Sequence, residues 1–394
     1  MPINYLDLRQ QAKAEALKAR TALKQVEERR AVAAALLQQR ASDLEAIRQS
    51  VADAAHLDPR LRCALPSSEP LTHAGGLPAA PAAYTLIAAD GSQINPNAHA
   101  PVHYFLVNLG AIRLQGGGDQ APDVFTHSDL HVAEYTRSGG YSEEMVSLER
   151  DKGERKLVAE LAESAAQQPI ITLTDGPLEL WGEKAAGYGD DKAFSEHLSE
   201  YLAALEQLHQ RGAATAGYVD KPRADLLVRM LEVLQLPEGS DAQALRARPL
   251  RGVTDAHLLR DLLQPGERSA VFGIQSQSAG RYFGHLALHF FYLNVGKPGA
   301  PWLARVEIPG WVAGNPALLD ALHAVLVAQN NILGSYTYPY VLHRAHEIAL
   351  VKYEEHEQVA QLIINELRAM GVEPGELSQK QAAKNLPGRR RFTL

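Results

Sequence analysis

The chain has 394 residues, of which 46% are apolar and 22% charged, with a formal net charge of −7. This is the composition of a folded soluble protein, long enough for two or three domains or one enlarged core. A single cysteine, Cys63, excludes an intrachain disulfide and a cysteine-based zinc site. No run approaches the roughly 18 apolar residues of a membrane span, no N-terminal stretch has the make-up of a signal peptide, and the expected compartment is the cytoplasm. The acidic balance argues against indiscriminate nucleic-acid binding, yet leaves room for an acidic metal site within a locally basic groove.

From Asn4 to about Ala55 there is neither Gly nor Pro, and Ala, Leu, Gln, Glu, Lys and Arg dominate. This predicts a long helix, placed in an N-terminal extension over residues 1–57. Its apolar stripe, from Leu6, Leu17, Leu23 and Val26 to Leu36, Leu37, Leu44, Ile47 and Val51, needs the protein body or another chain to cover it. Val26 to Arg30 is expected to be solvated. Residues 58–83 carry five prolines and predict a linker or surface loop.

The core follows, expected over residues 84–370. Tyr84 to Ala89 predicts a strand ending in Asp90-Gly91-Ser92, Val102 to Leu114 a second, and Val124 to Tyr135 a third. A Gly116–Gly118 turn with Asp119 makes these an antiparallel meander. Ser142 to Ala166 predicts a helix, with Met145, Val146, Leu148, Leu157 and Leu161 inward. Ile170 to Thr174 is a fourth strand ending in Asp175-Gly176, Phe194 to Gly212 a helix, and Ala213 to Val219 a fifth strand. Helices are expected over much of Arg223 to Leu263. A meander followed by crossovers to parallel strands is the order of a ribonuclease H-like core, a mixed sheet flanked by helices.

In that order the first and fourth strands are neighbours, so Asp90 and Asp175 meet at one end of the sheet. Crowded carboxylates raise each other's pKa, and a shared divalent cation relieves the repulsion. Oxygen ligands suit Mg²⁺ or Mn²⁺. A third carboxylate is expected from the intervening helix, which offers Glu143, Glu144, Glu149 and Glu154. Glu154, which shares a face with Arg150, is preferred and Glu149 comes second. The plainer alternative is that each Asp-Gly merely turns the chain after a strand.

These pieces resemble the NurA family. AADGSQ at Ala88 to Gln93, LTDGPL at Leu173 to Leu178 and GYVDKP at Gly217 to Pro222 are similar to its elements in order. So are Thr254-Asp255 followed by LLRDLLQPGERSAVF, PWLARVEIPGWV at Pro301 to Val312, and YPYVLHRAH at Tyr338 to His346. The resemblance runs from about Tyr84 to His346. It implies a homodimeric, Mn²⁺-dependent DNA nuclease of ribonuclease H-like fold, with Mg²⁺ as a possible substitute. It further implies 5′-to-3′ exonuclease and single-strand endonuclease activity in DNA-end resection, alongside a HerA-type hexameric translocase. Asp90 and Asp175, with a helix Glu, match the metal-binding carboxylates. Tyr338 and His346 match the C-terminal site residues, and Lys221 is a candidate phosphate contact.

Other residues carry competing readings. His346 falls on the inward face of a helix expected from about Val341 to Met370, where it is either a core histidine or a site residue. Asp255 is a helix N-cap or a site residue. Arg246, Arg248 and Arg251 contact a DNA backbone or form a solvated loop. His285 and His289 read better as part of a strand region than as a metal pair. Residues 371–394, with the ending PGRRRFTL, are expected to be a flexible basic arm. Two other functions fit the Asp-Gly pair less well: an actin-like phosphotransferase or ATPase, which needs a second phosphate-binding domain, and a non-catalytic DNA- or translocase-binding scaffold.

Overall fold

The computed structural model describes residues 3–97, 99–132, 141–181, 191–237, 239–334 and 336–373. All but the first three residues of the basic arm expected over residues 371–394, and the last residues of the expected third strand, lie outside them. In chain order, α1 (Tyr5–Gln39) and α2 (Leu44–Leu57) precede the short strands β1 (Cys63–Pro66) and β2 (Ala74–Gly75). Strands β3 (Tyr84–Ile94), β4 (Tyr104–Gly116) and β5 (Asp123–Val132) lead into α3 (Glu143–Glu163), β6 (Ile170–Asp175), α4 (Asp191–Gln210) and β7 (Ala214–Val219). After these come α5 (Leu226–Val233), α6 (Asp255–Leu259), β8 (Arg268–Ser269), β9 (Phe272–Gln275), β10 (Leu288–Asn294) and β11 (Leu303–Pro309). The last elements are α7 (Gly310–Ala313), α8 (Pro316–Asn330), α9 (Tyr340–Ala349) and α10 (Tyr353–Ala369).

Two compact units are distinguished. The first draws on Met1–Pro81, Gly176–Glu179 and Ala214–Pro339, the second on Ala82–Asp175, Leu180–Ala213 and Tyr340–Leu394. In the first unit, strands in the order β1-β9-β10-β11-β7 are all antiparallel to their neighbours. The expected single N-terminal helix is two, interrupted between Gln39 and Leu44. The interruption is anchored, because the Ala41 carbonyl accepts the Leu71 N–H at 2.8 Å. Only the later part of the apolar stripe is used. Ala33, Leu37, Ile47 and Val51 are buried with α5, β9 and β10, whereas Leu6, Leu17 and Leu23 are exposed. The segment expected to be solvated is tied down instead, with Arg29 donating to the Arg251 carbonyl and Arg30 paired with Asp261 at 2.6 Å. The stretch read as a linker holds β1 and β2, and it buries Leu61, Cys63, Ala64 and Leu71. Burial pushes the Cys63 thiol up to about 12, so it is an inert core residue.

The second unit is a mixed sheet in the order β5-β4-β3-β6, flanked by helices, the ribonuclease H-like arrangement expected from the element order. β3 to β5 form the antiparallel meander. β6 runs parallel to β3, from Thr85↔Ile170 to Ala89↔Thr174. Alternation along β4 divides the two faces. Phe105, Val107 and Leu109 pack with Val146 of α3, while Tyr104 and Leu106 pack with Ile363 of α10. Gly110 permits α9 to lie directly on the sheet, because a Cβ there would sit 2.4 Å from the Ala349 nitrogen.

The expected single helix from Val341 to Met370 is α9 and α10, separated at Leu350–Lys352. The sheet takes over the backbone groups at the break: Ser92 Oγ and Asn108 Nδ2 donate to the Ala349 carbonyl, and Val351 N–H donates to Ser92 Oγ. Leu350, in the break, and Tyr353, just after it, are exposed. No described helix is long and apolar enough to cross a membrane.

Candidate metal centre

Asp90 lies within β3 rather than at its end, which corrects the expected strand boundary. β3 continues to Ile94 against β4, while its parallel pairing with β6 stops at Ala89↔Thr174. Asp90 and Asp175 are thus the next residues on adjoining parallel strands, at the point where β6 finishes. Asp90 shares its face with Gly110, its partner on β4, and this is the face covered by α9. There Asp90 Oδ2 accepts a hydrogen bond from His346 Nδ1 at 2.7 Å, and Oδ1 accepts the Gly91 N–H at 2.8 Å. His346 is 58% exposed, so it is no core histidine. The bond to Asp90 engages Nδ1 and leaves Nε2 as the ring nitrogen not held by the carboxylate.

Gly91, one residue on, faces α3. A Cβ there would lie 2.5 Å from Arg150 Cγ and 2.9 Å from Glu154 Oε1. Only glycine lets both side chains come against the strand. α3 is started by Ser142, whose hydroxyl accepts the Met145 N–H. Its glutamates then diverge. Glu143 and Glu144 are exposed in the first turn. Glu149 pairs with His197 at 2.8 Å and Lys152 at 2.7 Å. Glu154 is buried beside Gly91 with Arg150 at 3.6 Å.

Burial, then the neighbouring charges of Asp151 and Asp90, hold the Glu154 carboxyl well above the usual carboxylate range. Arg150 and Arg155 offset this only in part. Asp151 is likewise raised, by burial first, against the opposing charge of Arg150 at 2.8 Å. Asp151 was absent from the sequence candidates. Its spacing from Glu154, three residues along one helix, was the available signal. Buried Arg155 donates to Thr174 Oγ1 at 2.6 Å, bracing the end of β6 beside Asp175.

Carboxylates and a histidine are ligand types that a hard divalent cation takes, and the charges of Asp90 and Asp151 acting on Glu154 are a deficit of positive charge that a cation would relieve. Asp90 and Glu154 lie on opposite faces of β3, and among the described residues their ligand atoms do not form one cluster.

The other expected site residues lie in the first unit. Lys221 is exposed in the turn after β7, and Tyr338 is half-buried with its ring edge-on to Tyr218 at 5.7 Å. Asp255 is not the N-cap of its own helix; Thr254 is, accepting the His257 N–H at 3.2 Å. Asp255 is fully buried, where it accepts the Val228 N–H near the start of α5 and the Tyr292 hydroxyl, each at 3.0 Å. Arg248 is held by Glu232 and Asp225, both at 2.6 Å. His285 lies in a short helical turn and His289 in β10, so they do not form a pair on one helix.

No curated protein matches the chain. A crystal structure of the NurA nuclease from Sulfolobus solfataricus is similar in fold, with a TM-score of 0.50 at 12% identity, covering 75% of this chain and 88% of that one. A second NurA crystal structure gives a TM-score of 0.46 at 10% identity, covering 90% and 98% of the two chains. A structure of NurA with manganese gives 0.40 at 11%, covering 74% and 91%. Residues 84–351 match the family model of the NurA domain. With more than half its length in that match, the chain belongs to the NurA family.

Proposed function

We propose that this protein is a divalent-cation-dependent DNA nuclease that hydrolyses phosphodiesters at the centre around Asp90. The observation that carries the reading is the step at which Asp90 on β3 adjoins Asp175 at the end of β6, with Glu154 of α3 against the neighbouring Gly91, within a NurA domain. Asp90, Asp175 and Glu154 would hold Mn²⁺, with Mg²⁺ as a substitute, and Asp151 adds a further carboxylate. The cation supplies stabilisation of the charge that develops on the phosphodiester and a lower pKa for the attacking water.

The chain's own groups do the rest. Asp90 orients His346 through the Nδ1 hydrogen bond, and exposed Nε2 is the atom that would move a proton at the leaving oxygen or add a ligand to a second cation. Arg155 keeps the end of β6 in place through Thr174. For Lys221 as a phosphate contact and Tyr338 as a base-stacking or phosphate-bonding residue, support comes from the family resemblance alone.

The finer reading is 5′-to-3′ exonuclease action with single-strand endonuclease activity, as a homodimer fed by a HerA-type translocase in DNA-end resection. It too rests on the resemblance. The exposed early part of α1, with Leu6, Leu17 and Leu23, is compatible with a partner covering it. The test is cleavage of end-labelled single- and double-stranded DNA by purified protein in Mn²⁺, alone and with the translocase. Cleavage from 5′ ends supports the reading. Nucleotide turnover without cleavage would point to a phosphotransferase, and neither activity to a scaffold.

A further inference from the structure

Arg150 occupies an unusual position. Its aliphatic stem fills the space that a side chain at residue 91 would need, since a Cβ on Gly91 would lie 2.5 Å from its Cγ. The guanidinium is thereby brought in among the acids of the centre. Nε and Nη2 donate to Asp151 Oδ1 at 3.1 and 2.8 Å, Nη1 donates to Gln93 Oε1 at 3.3 Å, and Glu154 Oε1 lies 3.6 Å from Nε. These contacts use three of the five guanidinium N–H groups and hold the plane from two sides. One N–H on each terminal nitrogen has no hydrogen-bond partner among the described residues, and the side chain is 32% exposed.

We infer that Arg150 binds the non-bridging oxygens of the phosphodiester at the centre, as a fixed fork supplied by α3. This deepens the nuclease reading and rests on it. A guanidinium used only as a counter-ion would be expected to turn its full fork toward the carboxylates. Here both terminal nitrogens retain donors, and the fork spacing matches two phosphate oxygens. Asp151 and Gln93 fix its orientation in advance, so little side-chain freedom is lost when the phosphate arrives. Gly91 belongs to the same device, because it makes room for the Arg150 stem.

The test compares wild type with Arg150→Gln and Arg150→Lys, the second retaining charge without the fork. Binding of a single-stranded oligonucleotide is measured in EDTA over a range of salt concentrations, Mn²⁺ binding by titration without DNA, and cleavage in Mn²⁺. The expected result for Arg150→Gln is a roughly tenfold loss of oligonucleotide affinity. It should come with a salt dependence shallower by about 0.7, the value of one phosphate contact on a single strand. kcat/KM should fall about 10²-fold or more, with Mn²⁺ binding retained. Arg150→Lys should keep the salt dependence but lose most of kcat/KM, and it carries the test by that loss if the Gln variant does not fold. Unchanged salt dependence and kcat/KM in Arg150→Gln, or full activity in Arg150→Lys, would overturn the assignment. So would loss of Mn²⁺ binding at unaltered DNA affinity, which would make Arg150 a holder of the carboxylates. Failure of the wild type to cleave DNA would defeat the nuclease reading itself, whereas a wild type that cleaves beside unaffected variants defeats only the role of Arg150.

Discussion

His346 and Asp90 are 256 residues apart in the chain, yet His346 Nδ1 stands 2.7 Å from Asp90 Oδ2. The contact exists because α9 lies flat on β4 at Gly110, the residue paired with Asp90 across the sheet. His346→Ala should therefore lower the single-turnover cleavage rate by about 10²–10⁴-fold, as for removal of an acid–base group. Oligonucleotide affinity should change little. Since more than half of the ring is exposed, unfolding free energy should move by less than about 1 kcal/mol. Full activity with a large loss of stability would remove His346 from the site.

Asp90→Asn and Asp175→Asn should each abolish Mn²⁺-dependent cleavage while leaving the circular-dichroism spectrum intact. In Asp90→Asn the carboxyl of Glu154 loses one of the charges that raise it. Metal-free Tm should accordingly hold or rise, and the stabilisation gained on adding Mn²⁺ should shrink. Near wild-type cleavage by either variant would refute the shared-cation centre.

Gly91→Ala introduces a single methyl group where Arg150 Cγ and Glu154 Oε1 leave no space. The expected cost is about 1–3 kcal/mol in denaturant unfolding. Activity should fall by more than that destabilisation explains, since both displaced side chains belong to the proposed centre. Unaltered stability and rate would show that α3 can withdraw freely.

Asp255 offers a prediction away from the centre. Burial pushes its carboxyl up to about 6 from 3.8, against the stabilising bonds from Val228, Leu227 and Tyr292. Between these two values the folded state binds more protons than the unfolded one, so this contribution to stability falls as pH rises from about 4 to about 6 and is level above. A difference of about two units, at ~1.36 kcal/mol each, corresponds to ~3 kcal/mol. Asp255→Asn keeps the acceptor for Val228 and should lose that part of the pH dependence. Parallel stability–pH curves for the two proteins between pH 4 and 7 would contradict it.

Local pattern alone was enough for the order of strands and helices in the second unit, the pairing of the first and fourth strands, and the two Asp-Gly steps. Apolar runs bounded by glycine and proline encode these within a few residues of chain. The same pattern misjudged both long helices. Their breaks near Arg40 and Leu350 answer to bonds from Leu71, Ser92 and Asn108, all distant in sequence, while composition reports only intrinsic helix preference. It likewise left the choice among the α3 glutamates open, because helical spacing gives a face but not what that face meets. Packing sends them to different neighbours: Glu149 pairs with His197 on α4, and Glu154 and Arg150 come against β3 where Gly91 has no side chain. The neighbourhood of Asp90, with His346 above and Asp151 acting through space, arises from long-range contacts. Only the folded sheet, with a helix on each face, could decide it.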